Sequence, residues 1–310
     1  MASTNILVAL NNIFKRNSTR LTPVFRSNGT ANATGDSLEF FVKDMFCEEA
    51  SQYTYQDDKE KVYKKYLSWT GDSSHFPDLI INDGAGVEPK KINGKSTTGT
   101  LSLNSSFPKD YIYPDTQNVP APGKSGKKEY VETGWTKKPI IYVVGNLNNK
   151  KSSTNTNGLY SIWFAYGNTF VADNSKYESV ISSIRNAIDK DVNAPLEHSK
   201  ELGRLRGIDN LKLTNLRIRG MYELQHPGKV FHEYVDDLKL PDDKSHVFVV
   251  MLKREYDHLV KEMKDKWSPV EKSLQGFINK GVLNKLSVKI PDPNNPDQKL
   301  DAIIFAGYTN

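Results

Sequence analysis

The chain has 310 residues, 37% of them hydrophobic and 10% aromatic, enough apolar material for one large domain or two small ones with a real core. Its net charge of +5 leans toward polyanionic partners, and no apolar run approaches the roughly 20 residues that a membrane helix needs. The lone cysteine, Cys47, excludes an intramolecular disulfide, suits a reducing cytoplasm and, beside an apolar stripe, reads as a buried structural thiol.

In chain order, residues 5–14 predict a short helix, too short and wrongly flanked for a signal core, and 15–34 a polar loop. Leu38, Phe41, Val42, Met45 and Phe46 then recur at helical spacing and predict an amphipathic helix. Glu39 borders that stripe, with Lys43 one turn on. The ordinary reading of the two is a solvated i,i+4 pair; the functional one is an acid carried by the helix to a site on a neighbouring sheet. Residues 52–69, charged and aromatic, read as helical.

The most informative stretch follows. Leu79-Ile80-Ile81 is a short apolar run, Asn82-Asp83-Gly84-Ala85-Gly86 is turn chemistry with glycines for positive φ, and 87–92 is the return strand of a β-hairpin. Side chains alternate along a strand, so Glu88 and Lys90 share one face, and the hairpin returns Asp78 beside Glu88. Two carboxylates and an ammonium at one point suit metal-assisted phosphodiester hydrolysis. Hard divalent cations prefer carboxylate and water oxygens, and a neighbouring lysine orients water or offsets developing charge. Pro-Asp, a gap of about ten positions, then Glu-x-Lys resembles the PD-(D/E)xK nuclease motif. Pro89 removes an amide between Glu88 and Lys90, so the strand is expected to be unpaired on that side or bulged.

Residues 93–98 read as a polar loop, 101–107 as a strand end, and 108–138 as an extended loop able to lie on DNA. Gly94-Lys95-Ser96 and Gly123-Lys124-Ser125 are not phosphate loops, because Pro89 and Asn118 stand where the earlier glycine is required. Residues 139–147 predict a buried strand and 159–172 one or two more. Ser175-Lys176-Tyr177-Glu178 is a capping box opening a helix with Val180, Ile181, Ile184 and Ile188. Around 214–221, Arg217 and Arg219 share one strand face, suited to guanine edges or phosphates. Strands at 246–252, 286–290 and 300–305, and a helix from Ser268-Pro269-Val270-Glu271 to Gly281, complete the reading. The six histidines form no metal-binding spacing.

Several segments together resemble the NgoPII-type restriction endonuclease family. They are Gly35-Asp36-Ser37-Leu38-Glu39-Phe40-Phe41-Val42-Lys43-Asp44-Met45-Phe46, Pro77-Asp78 with Glu88-x-Lys90-Lys91, and Leu103-Asn104-Ser105-Ser106-x-Pro108. Glu201-Leu202-Gly203-Arg204 and Asn215-Leu216-Arg217-Ile218-Arg219-Gly220-Met221 follow, so the resemblance spans most of the chain in order. Such motifs usually carry an apolar residue where this chain has Pro89. The resemblance implies a magnesium-dependent type II enzyme that cuts double-stranded DNA at GGCC between the central G and C, a target that no residue here derives. The expected architecture is an α/β mixed sheet flanked by helices, one domain over 1–310. Its catalytic core is expected at about 30–190, with DNA-contacting and dimer elements at about 95–140 and 200–310. Asp78 and Glu88 are expected to hold Mg2+, Glu39 to be an outer or second-metal ligand, and Lys90 to position water. Asn104, Ser105, Arg204, Arg217 and Arg219 are expected at DNA. A homodimer fits a palindromic target; no nucleotide cofactor and no membrane are expected. A repair nuclease on the same core and a non-catalytic DNA-binding module are the alternatives.

Overall fold

The computed structural model describes residues 3–31, 34–104, 106–116, 118–120, 132–148, 158–191, 196–197 and 202–310. Helix α1 (Ile6–Arg16) opens on Asn5, whose side-chain oxygen accepts from the amides of Leu7 at 2.9 Å and Val8 at 3.2 Å. Helix α2 (Thr34–Phe46) is the predicted amphipathic helix. Helix α3 (Gln56–Tyr66) stops short of the sequence expectation, because Leu67–Trp69 is strand β1, fully buried. The hairpin is β2 (Leu79–Ile81) and β3 (Gly86–Asn93). Then come β4 (Thr100–Asn104), β5 (Tyr111–Ile112), β6 (Lys138–Asn148), β7 (Gly158–Tyr166) and helix α4 (Asn174–Asp191). Three short strands follow, β8 (Leu196–Glu197), β9 (Gly203–Leu205) and β10 (Leu216–Ile218), then β11 (Met221–Gln225) and helix α5 (Pro227–Phe231). The chain closes with β12 (Ser245–Leu252), helices α6 (Lys253–Met263) and α7 (Trp267–Asn279), β13 (Leu283–Asp292) and β14 (Asn295–Thr309).

The central sheet has nine strands, ordered β1-β2-β3-β6-β7-β12-β14-β13 with β5 paired to the start of β6. It is mixed: β3 runs parallel to β6 and β7 parallel to β12, while the remaining neighbours are antiparallel. Its central strands read as continuous apolar runs because both faces are covered. Val87, Ile141, Val143, Phe164, Val249 and Phe305 face one core, against α1, α2, α3 and α7. Ile80, Tyr142, Val144, Trp163, Val250 and Ile304 face the other, with Leu101, Leu103, Leu224 and Phe231 from β4, β11 and α5. The α/β mixed sheet flanked by helices is thus as expected.

The strand end expected at 101–107 is β4, which lies outside the main sheet and pairs with β11, in register from Leu103 opposite Tyr222 to Thr100 opposite Gln225. Two expectations change. The stretch expected as loop at 108–138 contains β5, and its residues 121–131 lie outside the described ones. Helix α4 starts one residue ahead of the capping box and leaves Val180 and Ile184 exposed, so its apolar residues do not all face a core.

Candidate active site

The hairpin builds the site. Leu79 lies opposite Val87 and Ile80 opposite Gly86, and the turn closes through Ile81 N–H to Ala85 O and Gly84 N–H to Ile81 O, both 3.0 Å. The positive φ falls on Asp83, at 54°, not on the glycines as the turn composition suggests. Gly86 is there for room: a Cβ would stand 2.7 Å from both Ile140 Cδ1 and Pro77 Cγ. Strand β2 pairs with β3 only as far as Val87, so Pro89 costs no bond on that edge, one of the two expected accommodations.

Asp78 and Glu88 meet as the pairing requires. The Asp78 amide donates to Glu88 Oε2 at 3.1 Å, and Lys90 Nζ donates to Glu88 Oε1 at 2.6 Å. Gly71, with φ +84°, lies so close behind that a Cβ would come within 2.1 Å of the Asp78 carbonyl oxygen. Glu39 arrives on α2, which seats closely on β6: a Cβ on Gly145 would be 2.8 Å from Leu38 Cδ1. Glu39 makes the i,i+4 pair of its ordinary reading, at the edge of the cleft. It pairs with Lys43 at 2.5 Å, but Lys43 is buried, not solvated, and also donates to Thr70 O at 2.9 Å. Glu39, Asp78, Lys90 and the 100–102 stretch of β4 line one cleft of about 360 Å³.

Charge is unbalanced here. Burial pushes the Asp78 carboxyl up to about 8, Glu88 and Glu39 push the same way, and Lys90 and Lys43 offset only part of it. Burial alone would lower the Lys90 ammonium, but Glu88, Asp78 and Glu39 outweigh it and hold its pKa above the usual lysine value. Among the described residues no group of three or more His, Cys, Asp or Glu side chains is set to hold a metal ion, so Glu39 does not join Asp78 and Glu88 as a third ligand in this arrangement. Two carboxylates on an acid-rich cleft still fit a small hard cation, because magnesium takes only one or two protein carboxylates and keeps its waters.

Residues 4–280 match the NgoPII restriction endonuclease family. The chain is 30% identical over 293 residues to the type II restriction enzyme NgoPII of Neisseria gonorrhoeae, spanning 94% of this chain and 95% of that relative. The chain belongs to the NgoPII restriction endonuclease family. No solved structure matches it. Type II restriction endonucleases act on double-stranded DNA and generally use divalent metal ions. In this member no helix among the described residues is long and apolar enough to cross a membrane.

The residues expected at DNA fall into two groups. Arg204 on β9, half-buried, and Arg217 on β10, exposed, are directly opposite each other, a pairing that sequence spacing does not reveal. Arg219 does not share the strand with Arg217, since β10 ends at Ile218. Asn104 ends β4 opposite Met221; its side chain, and Ser105 altogether, lie outside the described residues. Sequence reasoning missed Gly71 and Thr70 at the site. Trp-Thr-Gly-Asp at 69–72 is a turn signal that could have marked a close approach. Cys47 is buried as expected, and burial raises its thiol pKa.

Proposed function

We propose that this family member is a magnesium-dependent endonuclease that cuts both strands at GGCC, between the central G and C, acting in the cytoplasm as a homodimer of single-domain 1–310 chains. The observation that carries the reading is the meeting of Asp78, Glu88 and Lys90 on one hairpin, with Asp78 pushed up to about 8 by burial and by its neighbouring acids. Asp78 and Glu88 would hold the metal, and Glu39 would serve as an outer ligand, released from Lys43. The metal supplies charge neutralisation at phosphorus and a more acidic water. Lys90 does the chain's own work at the scissile group. Its ammonium, fixed by Glu88, orients the attacking water and balances charge that develops on the phosphate. Arg204, Arg217, Arg219, Asn104 and Ser105 would meet DNA, the arginines at phosphates or guanine edges. A two-fold dimer presents one site to each strand of a palindrome.

The test is plasmid cleavage in magnesium and in EDTA, with the ends mapped on a sequenced substrate, for the wild type, Asp78→Ala and Lys90→Ala. Fixed ends within GGCC that require metal and vanish in both variants are expected. Cutting in EDTA, or full activity in both variants, overturns the site; ends mapped elsewhere overturn the target.

A further inference from the structure

Lys109 is a fully buried lysine that the proposed chemistry does not use. Its ammonium donates to Ser106 Oγ at 2.6 Å and to the Phe107 carbonyl at 3.0 Å. It lies over the Phe107 ring at 4.3 Å and the Phe76 ring at 4.8 Å. Its backbone is clamped on both sides by one hydroxyl: its N–H donates to Tyr142 Oη at 2.7 Å, and Tyr142 donates to its carbonyl at 3.2 Å. Tyr142 is the β6 partner of Glu88 in the β3–β6 register. Phe107 stacks on Tyr177, at 5.3 Å, and meets the edge of Tyr222 on β11, at 6.3 Å.

A buried ammonium is costly without a counter-charge. Lys59, buried elsewhere, has one in Asp44, at 2.7 Å. Among the described residues no carboxylate comes within ion-pair distance of Lys109, and burial pushes its pKa down to about 8 against the longer-range pull of Glu88 and Glu178. An ammonium spent on neutral partners is poor scaffolding. What it does is connect. Phe76 stands two residues ahead of Asp78, Tyr142 sits beside Glu88, and Ser106 and Phe107 lead off the end of β4, whose 100–102 stretch forms a wall of the catalytic cleft.

We propose that Lys109 is a positioning residue that locks the β4–β11 wall to the Asp78–Glu88 hairpin, so that seating of the wall on its DNA target sets the carboxylates for cleavage. This rests on the proposed endonuclease reading. Loss of the lock leaves DNA contacts in place but lets the reacting groups drift.

The experiment uses the full-length protein, with duplex binding measured in EDTA and single-turnover cleavage measured in magnesium. The substrates are the mapped target and its one-mismatch variants. For Lys109→Met, binding is expected to stay within about threefold of wild type while the cleavage rate falls on the order of 100-fold. Preference for the target over mismatched sites is expected to fall by about tenfold or more, with part of both regained in Lys109→Arg. Should Lys109→Met not fold, Ser106→Ala removes one acceptor and leaves the lysine; its rate is expected to fall about tenfold at unchanged binding. Wild-type rate and preference in Lys109→Met, or in Ser106→Ala where the first is unfolded, overturn the proposal. So does an equal loss of binding and cleavage in a Lys109→Met protein that is still folded at the assay temperature, which would mark a packing role only. A wild-type protein that cuts no DNA in magnesium defeats the endonuclease reading itself, whatever Lys109 does.

Discussion

Glu39 and Asp44 both stand on helix α2, and their surroundings differ. Asp44 accepts two hydrogen bonds from Lys59 Nζ, at 2.8 and 2.7 Å, and one from the Tyr63 hydroxyl at 2.7 Å, while Lys59 spends its remaining proton on Ala50 O at 2.8 Å. Lys59 and Asp44 pair inside a sealed cluster, with Arg16 adding a longer-range pull on Asp44. Five residues earlier, Glu39 opens on a cleft that Asp78, Lys90 and Lys91 also line, and there, on top of burial, Glu88 and Glu39 raise the Asp78 carboxyl further than Lys90 and Lys43 lower it. Among the described residues no donor reaches the Asp78 carboxyl. A closed cluster of buried charge is scaffold; an open one with a carboxyl that no donor satisfies has room for a cation.

The largest expected effect lies on the open side. Asp78→Asn keeps the shape and removes a charge, so metal-dependent cleavage should fall by about 10³-fold or more. The fold should not weaken, because the change relieves repulsion from Glu88 and Glu39. Single-turnover rates and melting temperatures together check this. A variant that melts far below wild type would make Asp78 a structural residue and erase the contrast with Asp44. Lys59→Met is the mirror experiment. It strands a buried Asp44 carboxylate and should cost about 3–5 kcal/mol in a urea titration. Cleavage at a temperature where the variant is folded should be near normal. Loss of catalysis without loss of stability would place Lys59 on the wrong side of the comparison.

The open cluster was far more legible in the sequence than the closed one. Asp78, Glu88 and Lys90 are joined by a short turn, so alternation along β3 and the return of the hairpin suffice to bring them together. Lys59 meets Asp44 across a break between helices, and nothing in the spacing marks that meeting. The same limit hid the burial of Lys43, whose partner Thr70 comes from the far end of β1. Most of the central strands were legible because they are apolar throughout. By contrast β4 alternates apolar and polar residues and pairs with β11 outside the main sheet, since local alternation states a face but not a partner. The arginine pairing at 204 and 217 was invisible for the same reason. Trp69 was misread as helix because α3 passes into β1 without a glycine or proline between them.

Proton linkage sharpens the comparison at Asp78. Its pKa rises from 3.8 unfolded to about 8 folded, so the native state without metal holds a proton that the unfolded chain gives up. That contribution to stability is fully present below pH 3.8 and is lost as pH rises through about 8. The metal-free protein should therefore melt progressively lower across this window. Magnesium binds the ionised form, so its stabilising effect should grow as pH rises through the same window. Asp78→Asn should flatten both trends. Identical slopes in wild type and variant would show that Asp78 is not the titrating group.

The smallest effect on the fold is expected at Arg217, which is exposed and lies opposite Arg204. Arg217→Ala should change stability by no more than about 0.5 kcal/mol, as substitutions at exposed positions usually do. If Arg217 meets a phosphate, affinity for target and non-target duplexes should fall alike, and the salt slope of binding should drop by about one counterion. If instead it reads a guanine, the loss should concentrate on the target by about 1–3 kcal/mol and leave the slope nearly intact. Titrating binding against salt on both duplexes separates the two. A variant that binds both as tightly as wild type would mean that Arg204 and Arg217 are opposed for reasons within the fold, and that their pairing, like that of Asp44 with Lys59, belongs to the scaffold.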